Sequence, residues 1–171
     1  GASQISGTIP ETLFANISGQ PDTQTFAYTF NGCNGLTGQI PENLFAKNPL
    51  AEEFYYTFYG TGGDFAINDA ALAINSGNYH YSYPAELEKP ISSGNLRSIP
   101  EGLFKNCPNI TRFEYIFAGT AITAIPEKIF AENSAAENFE GVFDACMNLQ
   151  AIPAKLMEKA TSALNIKYMF A

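Results

Sequence analysis

A repeated Ile-Pro segment constrains the fold of this 171-residue chain more than any other feature of its sequence. The segment occurs five times, and each copy has a large apolar pair three and four residues after the Pro. The prolines, at spacings of 31, 59, 26 and 27 residues, are Pro10, Pro41, Pro100, Pro126 and Pro153. A unit of this size is too small to bury a core alone, so we expect the units to stack around a continuous apolar interior.

Each unit also carries a second apolar pair, spaced by four residues. The pairs begin thirteen residues after the Pro in four units and sixteen in the first, at 26 and 30, 54 and 58, 113 and 117, 139 and 143, and 166 and 170. Residues at this spacing share one face on a helix and also on a strand. Tyr28, Tyr56 and Tyr115 between the aromatic residues favour a strand, whereas Ile116 and Val142 favour a helix. Both remain open, with a slight preference for a short helical turn.

The residues around each Pro predict the remaining local structure. The runs 36–40 and 122–125 are short, contain β-branched residues and end at a Pro, which predicts brief strands. Pro followed by Glu, at 41–42, 100–101 and 126–127, favours the start of a helical turn, because Pro presets φ and Glu complements the free N–H groups. The repeats therefore predict one domain over residues 1–171, an α/β solenoid of about five coils with short parallel strands and short helical turns.

One part of the repeat resembles a known family. Residues 109–126, NITRFEYIFAGTAITAIP, resemble the repeat of bacterial surface leucine-rich-repeat proteins of the BspA type, and residues 30–33, FNGC, match its turn. Residues 36–41, LTGQIP, are also similar to plant-type leucine-rich repeats, although the Asn ladder and shorter period of those repeats are missing. The first resemblance covers nearly all of the chain outside 60–95. It implies a leucine-rich-repeat solenoid on the surface of a host-associated bacterium, with an adhesive or ligand-binding role.

The long spacing between Pro41 and Pro100 implies extra chain at about 60–95, either an insertion or a degenerate repeat. Residues 83–87 resemble 152–156, which favours a decayed unit, but too few residues follow for an aromatic pair. An inserted loop in a repeat protein often carries the binding face. Alternating tyrosines make this stretch distinctive, and our candidate ligand-binding residues are Tyr79, His80, Tyr81 and Tyr83. Rings beside polar groups suit a sugar platform, but the favoured interpretation is that the tyrosines fix the loop to the solenoid.

The cysteines occupy positions that predict free thiols. Cys33 and Cys146 each lie three residues after the second Phe of their unit, where two other units have Thr61 and Thr120. Equivalent positions in distant units cannot come within the Cα separation of a disulfide. Cys107 lies at a different position in its unit, three residues after the Leu103-Phe104 pair. We therefore expect free, buried thiols and no metal site, since the spacing of a zinc motif is missing.

Charge and motifs narrow the function classes. A net charge of −8 would repel nucleic acid and anionic membranes, and no stretch is long and apolar enough to span a bilayer. The sequence has no phosphate-binding loop, nucleophile elbow or zinc-protease motif, and His80 is its only histidine. We therefore predict a non-enzymatic binding or adhesion module, extracellular or at the cell surface, without a cofactor. Its ligand would be a glycan or a host protein. The alternative is a structural spacer that presents another domain.

Overall fold

The computed structural model of the chain describes residues 5–17, 24–33, 35–61 and 97–171. These residues contain four short strands: β1 (Ser6–Gly7), β2 (Gln24–Thr25), β3 (Gly35–Leu36) and β4 (Ala51–Glu53). β1 pairs in parallel with β3, and β2 pairs in parallel with β4, so the strands form two separate two-stranded sheets. In the first sheet Ser6 lies opposite Gly35, and in the second Gln24 lies opposite Ala51. Everything else in the described residues is turn, isolated bridge or irregular chain.

The predicted α/β leucine-rich-repeat-like solenoid of about five coils is wrong. The described residues contain no helix, and their strands are only two or three residues long. Pairing between strands joins only β1 with β3 and β2 with β4, and beyond Glu53 single parallel bridges at Arg112, Asn138 and Asn165 stand in place of strands. The run 122–125 forms no strand, and only Leu36 of the run 36–40 lies in one.

The Pro-Glu segments form turns because their hydrogen bonds close over three residues. In the first unit Leu13 N–H donates to the Pro10 carbonyl at 3.1 Å, and Ile17 N–H donates to the Phe14 carbonyl at 3.1 Å. An α-helix would instead bond each N–H to the carbonyl four residues earlier. The same three-residue bond follows Pro41, Pro100, Pro126 and Pro153. Pro and Glu thus set the first turn but do not propagate a helix.

The aromatic segments also form turns, so the preference for a helical turn there is wrong. The residue midway between the two aromatic residues has a left-handed backbone, with φ of 59° at Tyr28, 57° at Tyr56 and 52° at Tyr115. A residue in that conformation ends a right-handed helix. The backbone N–H groups turn outward to the neighbouring unit, as when Tyr28 N–H donates to the Tyr55 carbonyl at 3.2 Å.

The Phe residues form the core, as the sequence predicts. Rings at the second aromatic position stack in one column, with centroid separations of 5.3 Å for Phe30 and Phe58 and 5.8 Å for Phe58 and Phe117. The column continues through Phe143 to Phe170 at 5.8 and 5.6 Å. The segments containing Phe58 and Phe117 therefore pack directly together although the long spacing separates them. Residues 62–96 lie outside the described residues, so the insertion or degenerate repeat stays a prediction, as does the single domain.

All three cysteines are free and buried, which confirms the burial predicted for them. Cys146 and Thr120 lie at equivalent positions of adjacent units, with the sulfur 3.6 Å from the hydroxyl oxygen. Thr61 fills the same position and donates to the Phe30 carbonyl at 2.5 Å. Cys146 Sγ likewise lies 3.1 Å from the Phe117 carbonyl oxygen of the preceding segment, whereas Thr120 donates to the Phe117 carbonyl within its own segment at 2.7 Å.

Candidate functional site

The sequence-predicted site cannot be placed. Tyr79, His80, Tyr81 and Tyr83 all lie outside the described residues. Within the described ranges, the most distinctive polar concavity lies on another part of the chain. It encloses about 390 Å³ and is called here the tyrosine groove, lined by Tyr28, Tyr55, Tyr56, Arg112, Glu114, Tyr115, Asn138 and Glu140. Its volume lies within the roughly 300–1,000 Å³ typical of ligand pockets.

A stack of tyrosine rings forms one wall of the groove. Tyr28 and Tyr56 stack with centroids 5.1 Å apart and planes 7° apart, and Tyr56 and Tyr115 stack at 5.0 Å and 14°. The stack exists because each aromatic segment turns its two Phe side chains inward and the intervening residue outward. Tyr55 stands edge-on to this stack, at 88° to Tyr28. The wall is therefore a row of ring edges and hydroxyl groups, in which each ring of the stack comes from a different repeat unit.

Arg112 organises the charges beside the rings. Its guanidinium lies 4.4 Å from the centre of the Tyr55 ring, and its Nε and Nη2 each lie 2.8 Å from Glu114 Oε1. Its Nη1 lies 3.4 Å from Glu53 Oε1. The hydrogen bond that Arg112 donates to Glu114 raises the pKa of Arg112, and the negative charges of Glu114 and Glu53 raise it further, although partial burial opposes the shift. Ring and carboxylates together fix the guanidinium in one place.

Glu114 is the most unusual side chain of the groove. Only 8% of its side chain is exposed, and Oε1 accepts hydrogen bonds from Arg112 and from Asn138 Nδ2 at 2.8 Å. Its other oxygen, Oε2, is closed to solvent and accepts no hydrogen bond from any described residue. A buried acceptor without a donor costs about 1–3 kcal/mol. Glu114 therefore has one saturated oxygen and one with unused capacity.

Tyr115 closes the far end of the tyrosine stack. Its hydroxyl donates to Glu140 Oε1 at 3.2 Å, and its ring lies directly over Gly141, where a Cβ atom would overlap it. Burial raises the pKa of Tyr115, and the negative charge of Glu140 raises it further. Its phenol is therefore neutral and remains a hydrogen-bond donor throughout the physiological range.

The groove combines hydrogen-bond donors and acceptors with a net negative charge. Tyr hydroxyls and the guanidinium donate, whereas the carboxylates accept, and ring contacts, ion pairs and hydrogen bonds hold these side chains. Across 5–17, 24–33, 35–61 and 97–171, no cluster of three or more His, Cys, Asp or Glu could hold a metal ion. The arrangement is suited to binding a polar ligand.

Sequence reasoning identified the tyrosines but assigned them no site role. Tyr28, Tyr56 and Tyr115 served there only to weigh a strand against a helix, and Arg112 and Glu114 were not singled out. The signal in the sequence was the repeated Phe-x-Tyr-x-Phe pattern. In the copy that begins at Phe113, Arg112 stands just before the pattern and Glu114 is its first x. Stacking of equivalent positions from distant units turns that pattern into one surface.

Comparison with known proteins does not assign this chain to a family. No protein-family model matches its sequence, and no curated protein is significantly similar to it. The resemblance to surface proteins of the BspA type therefore stays a prediction. In the part of the chain that the structure describes, no helix is long and apolar enough to cross a membrane.

Proposed function

We propose that this chain is a non-enzymatic binding module of a secreted or cell-surface protein, and that the tyrosine groove is its binding site. The ligand is a glycan or an extracellular protein. The observation that carries the proposal is the tyrosine groove itself, where four tyrosines and Arg112 line one concavity. Tyr and Arg are enriched in binding hot spots because they give a large contact area with few rotatable bonds or with many donors.

The rigidity of the groove supports this proposal. The rings pack on one another, Arg112 is held by two carboxylates, and backbone hydrogen bonds tie each segment to the next. A site that is ordered before its ligand arrives loses less entropy on binding. Glu114 Oε2 adds an acceptor that a ligand can satisfy.

The proposal can be tested by a binding screen against a glycan array and immobilised extracellular-matrix proteins. Three chains are compared: the unaltered chain, a variant with Tyr28→Ala and Tyr55→Ala, and a variant with Tyr79→Ala, Tyr81→Ala and Tyr83→Ala. We expect a ligand that the unaltered chain retains and the first variant loses. Each variant's melting curve shows whether it is folded.

The second variant separates this groove from the site predicted from sequence. Loss of binding only in the variant at 79, 81 and 83 would move the site out of the tyrosine groove. Silence of the unaltered chain on every surface would contradict the binding module and favour the structural spacer.

A further inference from the structure

If the tyrosine groove is the binding site, as proposed above, its chemistry also discriminates between a glycan and a protein as the ligand. A sugar platform needs an open aromatic face for the apolar side of a pyranose ring. Tyr56 has a ring stacked on each side, and Tyr115 lies between Tyr56 and Gly141. One face of Tyr55 holds Arg112. The inner rings therefore offer edges and hydroxyl groups, which does not favour stacking of a sugar.

The charge of the groove favours a cationic ligand. Glu114 and Glu140 stand against Arg112 in the lining of the groove, a net of one negative charge, and Glu53 adds a carboxylate 3.4 Å from Arg112 in a chain of net charge −8. Arg112 bridges Glu53 and Glu114 and neutralises part of their charge, whereas among the described residues the Glu140 carboxylate accepts hydrogen bonds only from neutral donors, Tyr115 and Asn165. Lys167 is not among the residues that line the groove. A positive ligand is therefore attracted, and an anionic one is repelled.

Glu114 provides an observation independent of net charge. Glu114 lines this concavity with a side chain that is more than nine-tenths buried, and its Oε2 is closed to solvent and has no donor among the described residues. A lysine ammonium brings three donors, and an arginine guanidinium brings five. Either group can donate to Oε2 only when the side chains that close this oxygen from solvent move aside. The phenol hydroxyls of the tyrosines that line the groove are acceptors for the remaining donors.

We infer that the ligand of the tyrosine groove is a basic segment of a protein, with a Lys or Arg side chain that donates to Glu114 Oε2. The ring edges and hydroxyls of the tyrosine row contact the backbone on either side of that residue. The guanidinium of Arg112 has five donors, and its carboxylate contacts use three of them, so it can also bond a backbone carbonyl of the ligand.

The test measures binding of fluorescent peptides of equal length that differ only in carrying Lys, Arg, Glu or neutral residues, beside neutral oligosaccharides as competing probes. We expect the Lys and Arg peptides to bind and the Glu peptide not to bind. Raising the NaCl concentration from about 50 mM to about 500 mM should weaken binding, because salt screens the charges. Glu114→Gln should weaken it by about tenfold or more, because it removes the charge that the ligand faces.

Two further variants keep this test decisive. Glu140 is half-buried in the lining of the groove, and we expect Glu140→Gln to weaken binding about threefold. This variant still tests the inference if Glu114→Gln does not fold. Glu158→Gln makes the same charge change at an exposed residue outside the groove and should leave binding unchanged.

The outcomes separate this inference from the proposed function. Binding of oligosaccharides without basic peptides would overturn the basic-segment inference and leave the binding module standing. Peptide binding that neither Glu114→Gln nor Glu140→Gln affects would overturn the assignment to this groove. If no probe binds here and the broader screen is also silent, both proposals fail.

Discussion

Left-handed residues carry the largest local backbone cost in this chain. Tyr28, Tyr56, Tyr115 and Tyr168 have φ between 52° and 59°, and Gly141 takes the same place in the fourth unit. A non-glycine residue there costs roughly 1–2 kcal/mol. Stacking of two aromatic rings contributes about 0.5–1.5 kcal/mol beyond burial, so each ring contact offsets much of that cost. The tyrosine row thus stabilises the backbone that presents it.

Ala145 shows the same strain without a compensating ring. Its φ is 55°, whereas the equivalent positions of three other units are Gly32, Gly60 and Gly119. We expect Ala145→Gly to raise the free energy of unfolding by about 0.5–1 kcal/mol, since relief of strain exceeds the added entropy of the unfolded chain. Urea denaturation measures the change. Gly119→Ala is the matched reverse variant, and a gain in stability there would contradict the explanation.

Two buried thiols make stability depend on alkaline pH. Burial raises the pKa of Cys107 from 9.0 to about 12 and that of Cys146 from 9.0 to about 11. Between these values and 9.0 the unfolded chain loses protons that the folded chain keeps, so deprotonation favours unfolding. Stability should be complete below pH 9 and fall above it, by about 1.4 kcal/mol per pH unit for each thiol.

Chemical denaturation at a series of pH values from 8 upward checks this thiol effect. Above pH 9, the free energy of unfolding of Cys107→Ala should fall less steeply with pH than that of the unaltered chain, because one of the two titrating thiols is missing. An unchanged slope in that variant would show that another group, such as a tyrosine, controls the alkaline transition.

At the scale of the turn element, a buried side chain, Asn48, Cys107 or Asn133, links three of the turns to the turn before it. Asn133 Nδ2 donates to the carbonyls of Phe104 and Cys107 at 3.3 and 2.8 Å, and Asn48 does the same for Phe14 and Ile17 at 3.3 and 2.8 Å. The intermediate turn has Cys107, whose sulfur lies 3.4 Å from the Asn48 carbonyl oxygen. The Asn side chains add a second hydrogen bond to carbonyls that already accept one from the backbone of their own turn, at Phe14, Phe104 and Cys107, and supply one to the Ile17 carbonyl.

Removing one of these links should destabilise the chain strongly. Asn133→Ala removes two buried hydrogen bonds and leaves the Phe104 and Cys107 carbonyls only their backbone donors, at 3.0 and 3.5 Å, so we expect a loss of roughly 1–3 kcal/mol in the free energy of unfolding. Asn109→Ala is the control, because the exposed Asn109 amide makes a single bond to the Pro49 carbonyl at 3.3 Å. Thermal and urea unfolding of both variants measure the difference. Equal losses would show that burial of the link is unimportant.

The sequence predicted which residues begin each turn and which are buried, but not the backbone geometry of the turns. The Pro-Glu start and the inward Leu-Phe pair were readable, since Leu44, Phe45, Leu103 and Phe104 are buried. A helix was expected because Pro and Glu favour a first helical turn, whereas the left-handed tyrosines are set by stacking between units. Local propensity does not contain that contact.

At the scale of the whole molecule, columns of Phe rings join the units. Phe117 is fully buried and stacks on Phe58 and Phe143, both at 5.8 Å, whereas Phe170 at the last position is 40% exposed. Backbone bonds run beside the column, from Phe58 N–H to the Ile116 carbonyl and from Phe117 N–H to the Val142 carbonyl. Stability should therefore decrease from the middle of the column to its end.

This gradient predicts unequal costs for the same substitution. Phe117→Ala should cost about 3–5 kcal/mol, because it opens a cavity between two stacked neighbours. Phe170→Ala should cost less than about 1.5 kcal/mol, since its ring is already partly in water. Calorimetry on both variants compares them. Similar melting temperatures would mean that the column does not carry the stability of the fold.

The sequence by itself determined the repeat, the inward Phe positions and the buried thiols, because each depends on residue type and spacing. Tertiary structure alone decided that the units are built from turns, because the left-handed tyrosines and the outward N–H groups depend on the neighbouring unit. It also decided the tyrosine groove. Arg112 and Glu114 meet Tyr28 and Tyr55 only after segments that are far apart in the chain pack side by side. Spacing along one segment could not reveal that proximity.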